Sequence, residues 1–456
     1  MRTLGLSLVA LLLLVLAGCN PPGGNGQSGP GPESDDSVIQ APTGEGKVEG
    51  KLEIVAFEGG YGVDFFRTLA EEYAAKNPGL TATVDGDPRI WDKVRPRMTS
   101  GDHPDFMFPG WGMDHWGLVQ DGQLMALDNA LDSVATDGKT KWRDTFDPNI
   151  LKLCQKDGHT YMLPLYVMTY GWWYDPGLWA KNGWVPPKDT DELMTLCEKI
   201  KAKGIAPMAF QGQYPYYMIE NLLLPWAASS GGIKTVVAAQ NLDPGSWKSE
   251  AMLKAAQMIC TMRDKGYFMQ GSVAMSHTES QTQFLQGKAA MVPCGSWLES
   301  EMKKSMPPGV TVRWFNCPII TGGQGDPTSM LIGVEPWMVP IKSKNPNAAV
   351  GYFKFMTSLD KAKKFVEQKG SLMSILGSDQ VKLPETLVAP AAGLKAAKTV
   401  WAVQYRSWYP AMQKEIEGAM TSMLNGELTA EQFCDRCEAA AQTARDDKDL
   451  PKYKVG

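Results

Sequence analysis

Lys51 to Phe57, KLEIVAF, alternates apolar and polar positions and is built from β-prone residues, the pattern of a strand. A GGYG turn follows. VDFFRTLAEEYAAKNPG then places apolar residues at helical spacing and stops at Asn77-Pro78-Gly79. LTATVDG predicts a second strand, and PRIWDKVRPRMTSGDHP a shorter helix with proline-restricted ends. DFMFPGW predicts a third, buried strand that runs into a glycine turn. Strand and helix in this alternation predict a mostly parallel α/β sheet. Ligands of such sheets lie beyond the carboxyl ends of the strands. The loops Glu58-Gly59-Gly60-Tyr61 and Pro109-Gly110-Trp111 are therefore expected to face one crevice.

Further along, DGHTYMLPLYVMTYGWWY predicts a hairpin that runs into a long strand. Its period of two puts Tyr166, Met168, Tyr170, Trp172 and Tyr174 on one face, and Val167, Thr169, Gly171 and Trp173 on the other. One of the two faces must be core. DTDELMTLCEKIKAKG is a capped helix ended by Gly204, and IAPMAF another strand. Helices are predicted at YMIENLLLPWAASSGG and SEAMLKAAQMICTMRDKG, and a strand at GKAAMVPCGSW. NPNAAVGYFKFMTSLDKAKKFVEQKG and the segment from Met412 to Asp447 complete the helical pattern.

The ends of the chain change the picture. Met1-Arg2-Thr3 is a short positive start, and Leu4 to Leu16 is an apolar run too short for a lasting membrane span, which suits a secretion signal. It closes in Leu16-Ala17-Gly18-Cys19, which looks like a bacterial lipobox, with cleavage before Cys19 and acyl chains added there. Residues 1–18 are thus expected as a lipoprotein signal peptide. Each buried CH₂ of an acyl chain contributes about 0.8 kcal/mol to anchoring. Residues 19–50 are dominated by Gly, Pro, Ser and acids and are expected as an extended tether, with the folded part starting near Lys51.

The remaining length suggests two domains or more. A net charge of −5 argues against a nucleic-acid partner. Of eight cysteines, seven lie beyond Cys19, so at least one stays unpaired in a monomer. Outside the cytoplasm disulfides are permitted, and Cys294–Cys317 is the expected bridge, from successive predicted strands. Cys434 and Cys437, three apart on a helix, suit a metal half-site, a redox pair or simple burial. No second pair accompanies them, and His103, His115, His159 and His277 form no metal-like spacing, so no metal and no cofactor are expected.

The motifs and their order then resemble the extracytoplasmic sugar-binding proteins of ABC importers, the group that includes maltose-binding protein. The pieces are KLEIVAF leading to KNPG, PDFMFPGW before LVQDGQLMALDNAL, and DGHTYMLPLYVMTYGWWYDPGLWAKNG before PPKDTDELMTLCEKIKAKGIAPMAF. FLQGKAAMVPCGSW, GVEPWMVPIKSKNPNAAVGYFKFMTS and LNGELTAEQF follow. Within that family GGYGVDF, RPRMTSGDHPDF and GVEPWMVPIKSKNPNAA resemble the N-acetylglucosamine and chitobiose binders. Two departures count against maltose: Tyr174-Asp175-Pro176 stands where the family has Tyr-Asn-Lys, and Met168 where maltose-binding protein has a carboxylate.

The resemblance implies a two-lobed α/β fold of the periplasmic-binding-protein type with a ligand cleft between the lobes. One lobe would take 51–167 with 335–395, the other 168–334 with 396–456. It implies a carbohydrate ligand, ABC importer permease subunits as partners, a lipid anchor in the membrane, and a monomer. A pyranose needs flat aromatic walls and a few polar groups for its hydroxyls. The positions that carry over are Glu58, Gly59 and Tyr61; Gly110 and Trp111; Tyr214, Tyr216 and Tyr217; Trp297; Glu335 and Trp337; and Trp408. Tyr170 and Trp172 are added from the long strand, while Trp179 and Trp184 are read as packing. A glycan-degrading surface enzyme and a non-transport sensor are the alternatives. No His-Glu-x-x-His, Gly-x-Ser-x-Gly or P-loop motif supports an enzyme.

Overall fold

The computed structural model describes residues 38–455; the expected signal peptide, Cys19 and residues 20–37 lie outside them. The first sheet is built as the alternation dictates. Gly50–Phe57 pairs in parallel with Leu80–Asp87 on one side and Phe106–Phe108 on the other. Helices Asp64–Lys76 and Ile90–Ser100 make the crossovers. The strand order reverses at Gly50–Phe57, so the loops after it and after Phe108 leave the sheet side by side.

The long strand Leu163–Tyr174 organises the rest. It runs antiparallel to Met330–Trp337, with Ile332 opposite Thr169 and Trp337 opposite Leu163. Its first half also pairs with Leu372–Met373. Its second half lies between Ala289–Gly295 and Arg313–Phe315. Just past Trp337, Met338 exchanges backbone hydrogen bonds of 2.9 and 3.0 Å with Met107. These two strands therefore run out of one packed core and into another. The first core holds Phe66, Phe106, Trp337, Tyr352 and Phe353. The second holds Trp172, Trp179, Trp226, Trp247 and Ile259, with a satellite around Trp173, Phe284 and Leu298. The result is two α/β lobes that share crossing strands.

Several expectations change. Both faces of the long strand are core: Trp172 and Trp173 are each fully buried. Trp172 packs against Trp226 and Phe315, and Trp173 lies in the satellite cluster on the opposite side. A sheet covered on both faces has no solvent side to alternate towards. Trp179 and Trp184 are packing residues, and the Trp179 indole donates to the Ala290 carbonyl at 3.1 Å.

The folded body also starts earlier than expected. Ala41 and Val48 are buried, the Ala41 amide donates to Ala126, and the Gly44 amide donates to the Asn347 side chain. Two apolar residues and a few backbone bonds dock this piece, a signal that the polar average of the whole stretch conceals.

Cys294 and Cys317 are free, as are the other five described cysteines. The long strand lies between the strands that lead to them, with Cys294 opposite Gly171 and Phe315 opposite Trp172. Two strand spacings are about 9.6 Å, beyond the roughly 7 Å that a disulfide spans between Cα atoms. Cys434 and Cys437 sit on the buried face of helix Ala430–Asp446, where burial pushes both thiols up.

Candidate functional site

The crevice begins where the first and third strands end. Gly110 adopts φ +78°, and a Cβ there would stand 2.9 Å from Trp91 and 3.0 Å from Phe57. Only glycine fits both demands, and the tight turn it allows throws Trp111 outward. Trp111 is 39 % exposed and rests edge-on against Phe108. Beneath it the buried His115 donates from Nε2 to the Gly110 carbonyl at 2.8 Å. Burial lowers the His115 pKa to about 4, so the ring is neutral and fixes the loop without adding charge. Glu58 and Gly59 are half-buried on the neighbouring loop.

From the other lobe comes the loop after Ala289–Gly295. Ser296 donates its backbone N–H to Thr169 on the crossing strand and stands 3.1 Å, Oγ to hydroxyl, from Tyr61. Trp297 lies against Gly60, where an added Cβ would come within 3.0 Å of it. The Trp297 ring is edge-on to Tyr170 at 5.8 Å and to Tyr217 at 6.2 Å. Gly295 makes room for that indole, since a Cβ there would overlap it. Tyr216 stacks on the buried Tyr217, and Tyr214 is 38 % exposed beside Tyr216 and His277.

Between the lobes lies a cavity of ≈ 90 Å³ lined by Trp111, Tyr170, Glu220, Gly333, Gln404 and Arg406, among others. Gly333 lets Tyr170 lie across the crossing strands, because a Cβ there would be 2.9 Å from the Tyr170 hydroxyl. Arg406 donates from Nη1 to Glu220 Oε1 at 3.0 Å, and its guanidinium lies 3.9 Å above the Tyr216 ring centroid. Burial raises the Glu220 pKa and Arg406 pulls it back. The whole cavity is small beside the roughly 300–1,000 Å³ of ligand clefts, so a large ligand enters only as the lobes part.

The expected site residues thus divide. Trp111 and Tyr170 line the cavity, and Gly110 shapes the loop that carries Trp111. Tyr216 lies under the Arg406 guanidinium, Tyr61 bonds Ser296, and Tyr217 and Tyr170 each pack edge-on to Trp297. Glu58 and Gly59 are on the adjoining loop, with Tyr214 further out. Trp172 does not join them; it is core, and its indole donates to the Asn221 carbonyl. Trp337 is fully buried among Phe66 and Phe106. Glu335 is 1 % exposed and accepts hydrogen bonds from Tyr166 and Trp337 inside the first lobe. Burial pushes its carboxyl up to about 8, against those two bonds. Trp408 is buried and stacks on Tyr453 of the C-terminal segment. In each case a large ring or a carboxyl found an internal partner, which period and position along the chain cannot reveal.

Glu220, Ser296, Gln404 and Arg406 were missed by the sequence reading. Glu220 had a signal, being the lone charged residue of the largely apolar stretch MIENLLLPWAA. It sits in the π-helical turn Ile219–Leu223, a distortion that recurs at functional sites. Arg406 had a weaker one, a cation between aromatic residues Tyr405 and Trp408.

Two α/β lobes joined by crossing strands, with an aromatic crevice between them, define a protein that closes on a small solute. The chain belongs to the bacterial extracellular solute-binding protein family, whose profile matches residues 59–363. It is 26% identical over 420 residues to the diacetylchitobiose binding protein NgcE of Streptomyces coelicolor, covering 89% of this chain and 87% of that one. It is 22% identical to the multiple sugar-binding protein of Streptococcus mutans, over 68% of this chain and 72% of that one. Among solved structures it shares its fold with a chitin oligosaccharide binding protein. There the TM-score is 0.73 at 20% identity, over 87% of this chain and 98% of the other. The GacH receptor of Streptomyces glaucescens matches with a TM-score of 0.68 at 19% identity, over 87% and 98%.

Proposed function

We propose that this protein binds a carbohydrate, foremost an oligosaccharide of N-acetylglucosamine, between its two lobes and presents the closed form to an ABC importer. The observation that carries this reading is the meeting of Trp111 and Tyr170 at the interlobe cavity from two separate elements, with Trp297 of the other lobe edge-on against Tyr170. Flat rings match the C–H face of a pyranose, and covering that face contributes about 25 cal/mol per Å². Hydroxyls then need polar partners, since each one left unpaired costs about 1–3 kcal/mol. Similarity to the diacetylchitobiose binder over nearly the whole chain supports the choice of sugar.

The lobes in this reading are 51–167 with 335–395, and 168–334 with 396–456, and they part and close about the crossing strands. Cys19 carries the lipid that holds the protein outside the cytoplasm, and it acts as a monomer. In this reading the protein releases its ligand unchanged, and Glu220, the acid that lines the cavity, serves to hold Arg406.

Calorimetric titration with diacetylchitobiose, maltose and xylobiose tests the proposal, with the recovered sugar checked by mass spectrometry. Binding of diacetylchitobiose and its recovery intact are expected. At 100 times its Kd it would add about 2.7 kcal/mol of stability, visible as a raised Tm. If none of the three binds, the carbohydrate reading is wrong; if diacetylchitobiose is cleaved, the pure-binder reading is wrong.

A further inference from the structure

Arg406 is held more firmly than a general solvating cation needs. The Tyr216 ring fixes the plane of its guanidinium, and the buried Glu220 carboxyl fixes its rotation. Glu220 has 4 % of its side chain exposed, Arg406 24 %. An arginine carries five N–H donors. Only the one given to Glu220 has a protein acceptor among the described residues. The side chain lines the interlobe cavity, and Leu331, Val334 and Val403 line that cavity with it.

These features together describe a receptor for one kind of group. Arginine donates and cannot accept, so it suits an oxygen that only accepts, such as an amide carbonyl, better than a hydroxyl whose proton also needs a partner. Glu220 already balances the guanidinium charge. A ligand carboxylate would therefore arrive as a second buried anion facing a single cation, whereas a neutral carbonyl adds no charge. The apolar residues beside Arg406 give a methyl group somewhere to lie.

We propose that Arg406, positioned by Glu220 and Tyr216, selects N-acetylated sugars by donating to the acetamido carbonyl oxygen, while Leu331, Val334 and Val403 enclose the methyl. This inference rests on the carbohydrate reading above and adds the residue and the group by which one sugar class is chosen.

The test compares diacetylchitobiose with cellobiose, which has hydroxyls in place of both acetamido groups. Calorimetry on the wild type is expected to give a preference for diacetylchitobiose of at least tenfold. Arg406→Met alone strands a buried carboxyl, so the double variant Arg406→Met with Glu220→Gln is measured beside it, and a thermal melt confirms that each is folded. In the variants the Kd for diacetylchitobiose is expected to rise 10- to 100-fold while that for cellobiose changes less than threefold. A purely structural role would weaken both sugars together and leave their ratio intact. A wild-type preference for cellobiose, or a ratio unchanged in the folded double variant, overturns the selection by Arg406. If the wild type binds neither disaccharide but does bind maltose or xylobiose, the selection of acetamido sugars is overturned while the carbohydrate reading stands. If it binds none of these sugars, the carbohydrate reading itself fails.

Discussion

Tyr61 and Ser296 join the two lobes: the Tyr61 hydroxyl, on the loop after the first strand, lies 3.1 Å from the Ser296 Oγ on the loop after Ala289–Gly295. Both groups are buried beside the crossing strand, and the neighbouring residues Gly60 and Trp297 touch as well. The contact exists only with the lobes together, so it biases the equilibrium towards closure. Tyr61→Phe keeps the ring against Tyr166 and Phe365 and removes the bond. A loss of about 0.5–1.5 kcal/mol is expected, a roughly 2- to 10-fold weaker Kd for any ligand that needs the closed form. Calorimetry checks this, with small-angle scattering to follow the open fraction; an unchanged Kd would remove the contact from the closure mechanism.

Glu335 makes stability depend on pH. Its carboxyl titrates near 4.5 when exposed and at about 8 in the fold, raised by burial. Between those values the folded chain holds a proton that the unfolded chain lacks, so stability falls as pH rises, by at most about 1.4 kcal/mol per pH unit. Glu335→Gln imitates the neutral acid, keeping one acceptor for the Trp337 indole and one group for Tyr166. The variant is expected to melt like the wild type near pH 5 and above it at pH 8. Parallel melts across that range decide the matter, and identical slopes would refute the assignment.

Gly333 is predicted to be intolerant of a single methyl. In Gly333→Ala the new Cβ meets the Tyr170 hydroxyl at 2.9 Å and the Met168 side chain at 3.2 Å. Tyr170 must swing, and it is both a crevice wall and a neighbour of Glu220. Overpacking of this kind costs about 1–3 kcal/mol. Urea unfolding should register that loss, and sugar affinity should fall with it. A variant of wild-type stability and affinity would mean that the crossing strands give way freely at this point.

No disulfide holds the described body together. Alkylation in denaturant without reductant is expected to label all seven cysteines beyond Cys19, and reductant should leave the melting temperature unchanged. A mass short of the fully labelled value by two label groups and two hydrogens would reveal a bridge.

How much of this was legible beforehand varies with the kind of interaction. The parallel arrangement of the first three strands was visible in KLEIVAF, LTATVDG and DFMFPGW and in the helices between them. The loops at Glu58–Tyr61 and Gly110–Trp111 followed from it, because a parallel sheet puts its connections at a predictable end. The resemblance pointed to Trp297, which packs against Tyr170 and Tyr217 where the lobes meet. The alternation of LPLYVMTYGWWY misled, since a strand buried on both faces has no wet side. Glu335 and Trp337 sat at a family position and proved to be internal partners of Tyr166 and of each other.

The sequence alone determined the succession of strands and helices and the glycines that permit its turns. These depend on residues close together in the chain, where steric limits and period act directly. Tertiary structure decided which aromatic rings became walls and which became core, and that Glu220 would meet Arg406, 186 residues away. It also kept Cys294 and Cys317 apart, by laying a strand between theirs. Burial and pairing are properties of neighbours in space, and for these residues the neighbours come from distant parts of the chain.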